Sequence, residues 1–213
     1  MRTYLQTIQL FQKTLLVISI LMLIILPITL AFSPKSLSNV FISDLYLISH
    51  LTVFFVMIIR PLADIFIKVK AVRSLVILRK GFGVISASII VSFIFSKIII
   101  DPTGYLGSFI TAKYWSMQNL ALFAHLADIS GIILLVTSNN FSKRVLANKW
   151  KMIQKLAYVY FYASSIYVYF ISGKIEFIVS IFLVTILVIL ASTIKRRRLI
   201  SKPNENVNKK NLS

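Results

Sequence analysis

Six stretches of nearly unbroken apolar residues run along the chain, near residues 14–32, 45–66, 82–100, 118–138, 155–173 and 176–194. About 20 helical residues cross the roughly 30 Å hydrocarbon layer of a bilayer, so each stretch predicts one transmembrane helix. Arg60, Pro61 and Asp64 interrupt the second near its end, which confines its expected core to residues 45–60. Pro27 is expected to bend the first, a feature that membrane helices tolerate. That first run is too long, and its leading charge too modest, for a cleaved signal peptide.

Composition agrees with this pattern. With 58% hydrophobic and 14% charged residues and a mean hydropathy of +0.86, the 213 residues carry more apolar surface than a soluble domain can hide. The predicted fold class is an all-α integral membrane protein. Six transmembrane helices form one bundle over residues 1–200, and residues 201–213 form a disordered polar tail with no soluble domain after it.

Charge then orients the bundle. Of the 24 lysines and arginines, 20 fall in the amino tail, the second and fourth connections and the carboxyl tail, and 4 in the other three connections. The positive-inside rule places both termini in the cytoplasm and the bundle in a bacterial inner membrane. The net charge of +18 is explained by cytoplasmic membrane edges facing anionic headgroups, and "KRRRLISK" at 195–202 reads as such an anchor. The lipid bilayer is the expected partner, and nucleic acid is not.

Short connections leave no room for a nucleotide-binding, flavin or periplasmic catalytic domain. Neither a glycine-rich phosphate loop nor an HExxH pattern occurs, and the chain has no cysteine for a thiolate or disulfide. Chemistry is therefore sought among polar residues at membrane depth, where burial is costly. His125 and Asp128 are three apart in the fourth helix and share a face, which suits a proton relay, a cation site or a packing pair. His50 and His125 each enter a helix from the outer side at similar depth, so a haem between two histidines is conceivable, as is a packing role. Ser88, Ser92 and Ser96 form a stripe of small residues suited to close helix approach, and Lys97 and Asp101 are spaced to pair. The fifth helix is rich in tyrosine, and those in its middle need partners or a cavity.

Four segments together carry a family resemblance. "RPLADIF" at 60–66, "RKGFG" at 79–83, "LLVTS" at 134–138 and "KWKMIQKLAYVY" at 149–160 resemble, in order and spacing, the ferric reductase-like transmembrane family. The likeness is greatest to its short bacterial branch, the haem-binding membrane subunit of the methionine sulfoxide reductase system. The resemblance implies b-type haem as cofactor, with ligands at positions that here hold Phe93, Gln154 and Tyr167. Phenylalanine cannot ligate iron, glutamine does so weakly, and tyrosine is an uncommon haem ligand. The candidate cofactor contacts are therefore His50, His125, Gln154 and Tyr167.

A bundle that loses a haem must refill its space. The tyrosines of the fifth helix with Phe161 and Phe170, and Phe93 and Phe95 in the third, are the expected filling, with Phe93 and Tyr167 pointing into the core. Three functions follow. The first is a membrane electron-transfer subunit of an oxidoreductase, serving a redox partner through a relocated haem or a quinone. The second is a haem-free, noncatalytic scaffold that anchors a partner protein. The third is a small proton-linked transporter working through His125 and Asp128.

Overall fold

The computed structural model describes residues 2–32, 39–117 and 120–200, and its regular structure is helical throughout. In chain order the helices are α1 (Arg2–Phe32), α2 (Asn39–Ile65), α3 (Lys70–Leu75), α4 (Leu78–Ile100), α5 (Pro102–Ser108), a 3₁₀ turn (Ala112–Trp115), α6 (Ala121–Val136), α7 (Asn140–Ile153), α8 (Leu156–Ser172) and α9 (Glu176–Ile200). The polar tail over 201–213 and its expected disorder lie outside the described residues.

Several boundaries depart from the hydropathy reading. The core of α2 does not stop at residue 60; the helix continues through Arg60 and Pro61 to Ile65. Arg198 of α9 donates to the carbonyls of Asp64 and Ile65 at 2.8 and 3.0 Å, supplying donors to a helix end that would otherwise lack them. The basic second connection is largely helical, since α3 and the start of α4 occupy it. Pro27 sits inside an unbroken α1. Lys97 and Asp101 do not pair. Asp101 instead caps α5, accepting from the Gly104 amide at 2.9 Å, while the Lys97 ammonium lies 5.7 Å over the Tyr105 ring. The fourth connection forms α7, started by an Asn139 cap on the Ser142 amide and turned 115° from α6.

Length and composition qualify four stretches to cross a membrane: α1, α2, α3 with α4, and α9. The bent α6–α7 pair makes a fifth if counted as one span, and α8, with 17 apolar residues, is shorter. Gly173, in the left-handed region at φ 67°, ends α8 by returning its amide to the Tyr169 carbonyl at 2.7 Å.

Contacts between helices define the architecture. α2, α4, α6 and α8 pack in a ring, with α1 laid along α4 and α9 set against α2 and α8. One apolar core joins Val53 and Met57 of α2, Ala127 of α6, Phe161 of α8 and Val184 of α9. A second joins Leu15 and Leu26 of α1 to Leu45 of α2 and Ile85 and Ile89 of α4. The outward faces of α1 and α9 remain apolar, with Ile24 60% and Phe182 63% exposed, so the surface that water would reject is the one turned outward. This inversion matches a lipid solvent.

The α1–α4 seam depends on small residues. Ser88, Ser92 and Ser96 are all buried, and the Ser92 hydroxyl reaches the Met22 carbonyl of α1 at 3.3 Å. A Cβ added at Gly81 would lie 2.9 Å from Leu15 Cδ1 and 3.1 Å from its Cβ, so the helices meet there through a missing side chain. Gly81→Val is expected to lower stability by about 1–3 kcal/mol through overpacking. Gly107→Ala, where an added Cβ meets nothing within 4 Å, should leave it unchanged. Thermal unfolding of both variants in one detergent checks the contrast.

Candidate functional site

The positions that the family resemblance assigns to haem ligands lie in three different surroundings. Phe93 on α4 is stacked face to face on Tyr46 of α2, with centroids 4.5 Å apart and planes 6° from parallel. Gln154 lies at the junction of α7 and α8, where its amide nitrogen donates to the Thr137 hydroxyl at 3.4 Å. Tyr167 is half-buried on α8. The expected aromatic filling is correct in part. Phe161 is fully buried and Tyr160 nearly so, whereas Phe95 and Phe170 are exposed and belong to the outer surface.

The two histidines are enclosed by different residues. His50 bonds the Ser180 hydroxyl of α9 through Nε2 at 3.0 Å and lies 4.5 Å from the Phe177 ring and 5.7 Å from Phe161. It therefore lies packed between α2, α8 and α9. His125 faces the segment after α4, with the Phe109 ring at 4.6 Å and Trp115 at 5.3 Å. Asp128, one turn along the same face, accepts from the Tyr105 hydroxyl at 3.1 Å. The sequence-predicted pair is thus covered by α5 and the 3₁₀ turn, which Trp115 stiffens by donating to the Phe109 carbonyl at 2.8 Å. Among the described residues no three His, Asp or Glu side chains converge on a metal-sized site.

A larger feature lies at the other end of the ring. A cleft of about 900 Å³ opens there between α2, α4, α6, α7, α8 and α9. Arg60 from α2, Arg79 and Lys80 from α4, Lys143 and Lys151 from α7, Lys155 at the head of α8 and Lys195 from α9 line it, against one acid, Asp64. Asp64 is held by Arg60 at 3.3 Å. Arg79 Nε donates to the Val56 carbonyl at 3.1 Å, which holds the guanidinium at the wall. Trp150 donates to the Thr137 carbonyl at 3.1 Å and carries the Lys143 ammonium 5.4 Å over its ring, docking α7 at the mouth.

Deeper residues of the cleft are apolar, including Val53, Val84, Ala87 and Leu134, and its floor is Tyr160. The Tyr160 hydroxyl lies 2.8 Å from Ser86 Oγ and 3.2 Å from Ser49 Oγ, and the two serines are 3.1 Å apart. All three are buried, so this triangle ties α8, α4 and α2 together with satisfied polar groups. Sequence reading had spread the same lysines and arginines along a membrane edge. The one available signal was their concentration on one side, and their convergence needs the tertiary fold. No family model matches the chain, and no curated protein or solved structure does either.

Two outcomes are expected. Tyr160→Phe should cost about 1 kcal/mol, because Ser49 and Ser86 keep each other as partners, while exposed Tyr158→Phe should be neutral; unfolding midpoints measure both. At the end of the ring away from the cleft, burial and then the Asp128 carboxylate push the Tyr105 phenol above its ordinary range. The segment of α5 and the 3₁₀ turn is therefore fully stabilised below the ordinary phenol pKa of about 10 and loosens as pH rises beyond it. Digestion of residues 102–115 should accelerate above that pH, and the phenol-linked part of the acceleration should vanish in Tyr105→Phe.

Proposed function

We propose that the protein is a haem-free, noncatalytic membrane subunit of ferric reductase-like type, which keeps that architecture to hold a partner protein at the membrane. The observation that carries this reading is the Phe93–Tyr46 stack: where the resemblance expects an iron ligand on α4, an aromatic pair bridges α4 and α2. Phe161 and Tyr160 supply the same kind of filling from α8. An electron-transfer subunit would need a ligand set that Phe93 and the Thr137-bound Gln154 do not supply. Proton-linked transport is less favoured because Asp128 is engaged by Tyr105 under the outer segment.

In this reading six helices span a bacterial inner membrane, with α8 as a short span and both termini cytoplasmic. The support is the 20-to-4 division of basic residues between alternate segments. The cleft, with its seven cations, then opens to the cytoplasm.

A dithionite-reduced minus oxidised spectrum of protein purified from haem-supplemented cells is expected to be flat in a folded sample. A b-type α-band lost in His50→Ala or His125→Ala would overturn the proposal and restore electron transfer. The absence of cysteine gives a direct orientation test. Lys151→Cys should react with an impermeant thiol reagent only from the cytoplasmic side, and Lys174→Cys only from the outer side.

A further inference from the structure

We infer that the cationic cleft is a binding site for a phosphate-bearing anion carrying more than one negative charge. This goes beyond the scaffold reading and stands or falls separately from it. Surface lysines at a membrane edge are explained by headgroup attraction alone, but that attraction does not require them to enclose a volume. Here residues from position 60 to position 195, on five helices, line one cleft of about 900 Å³. Gathering seven like charges around one space is repulsive unless an anion answers them.

The arrangement has the parts that recognise phosphate. Arg79 is anchored through Nε alone, which leaves its paired terminal nitrogens for a forked contact with two anionic oxygens. Arg60 is partly neutralised by Asp64, so the net surplus of charge sits on Arg79, Lys80 and the lysines of α7, α8 and α9. A single carboxylate or halide would satisfy only a fraction of them. Below this ring the wall becomes apolar at Val53, Val84, Ala87 and Leu134, so the anion's organic part can descend while its charge stays at the ring. At Gly83, another wall position, an added Cβ would meet only Val56 Cγ2 at 3.7 Å, which leaves room on that side. The shared chemistry is therefore an organic phosphate, whether free in the cytoplasm or part of a lipid headgroup.

The test uses the full chain in zwitterionic nanodiscs, titrated calorimetrically with ADP, a soluble organic phosphate, in one arm and with short-chain phosphatidic acid in the other. Binding in either arm is expected, and the stronger arm identifies the source as soluble or lipid. Arg79→Gln should weaken it about tenfold, as expected for loss of a charge-assisted hydrogen bond. Because Arg79 also bonds the Val56 carbonyl, Lys151→Gln on exposed α7 serves as a second variant that spares the fold, with a several-fold loss expected. Lys174→Gln, at the opposite end of α8, should change nothing. No heat in either arm, or equal weakening by Lys174→Gln and the cleft variants, would overturn the inference.

Discussion

The hydrogen-bonded triangle of Tyr160, Ser49 and Ser86 is the contact on which the rest of the bundle's organisation turns. It places three hydroxyls where α8, α2 and α4 meet, with oxygens 2.8 to 3.2 Å apart and away from solvent. In lipid, apolar side chains gain nothing by leaving a neighbouring acyl chain, so helices are registered by close packing and by polar groups that find one another. The triangle fixes the rotation of α8 about its axis, which sends Phe161 into the core and Tyr158 to the exposed wall of the cleft. It also floors the cationic cleft, so the two ends of the ring become chemically separate.

That separation gives the two ends different characters. The end away from the cleft is closed by a short folded segment, in which Tyr105 engages Asp128 and Phe109 and Trp115 cover His125. The cleft end stays open and collects positive charge from segments far apart in sequence. α7 contributes to this because it turns 115° from α6 and is stapled back by Trp150 and Gln154 on Thr137. Phe141 and Val145, before the non-helical Ala147 at φ 42°, and Met152, after it, are exposed and apolar, which suits the boundary between headgroups and acyl chains.

Much of the helical architecture was legible in the sequence, because hydropathy at the length of a bilayer is a strong signal. The serine stripe of α4 was readable too, since four-residue spacing on a helix puts Ser88, Ser92 and Ser96 on one face. The end of α2 and the partner of Asp101 were not legible there. Arg60, Pro61 and Asp64 look like a helix end, yet Arg198 from α9 caps α2 five residues beyond Arg60, at Ile65, and no local rule anticipates that partner. Lys97 and Asp101 have ideal spacing for a pair, but the Gly104 amide competes successfully for the carboxylate. The cleft was illegible for the same reason as the triangle: both are built from helices far apart in the chain, and only the fold brings Arg60, Arg79 and Lys195 to one place.

The central claim is that the Tyr160 layer divides an accessible cationic cleft from a closed core. Ala157, in the cleft wall, and Ala163, buried on the same helix, lie on either side of that layer. The most direct measurement compares the reaction rates of Ala157→Cys and Ala163→Cys with a sulfonated, membrane-impermeant thiol reagent added to detergent-solubilised protein, where both ends of the ring are reachable, in a chain that has no other cysteine. The account predicts rapid modification at 157 and protection at 163. Comparable rates at both positions would contradict it.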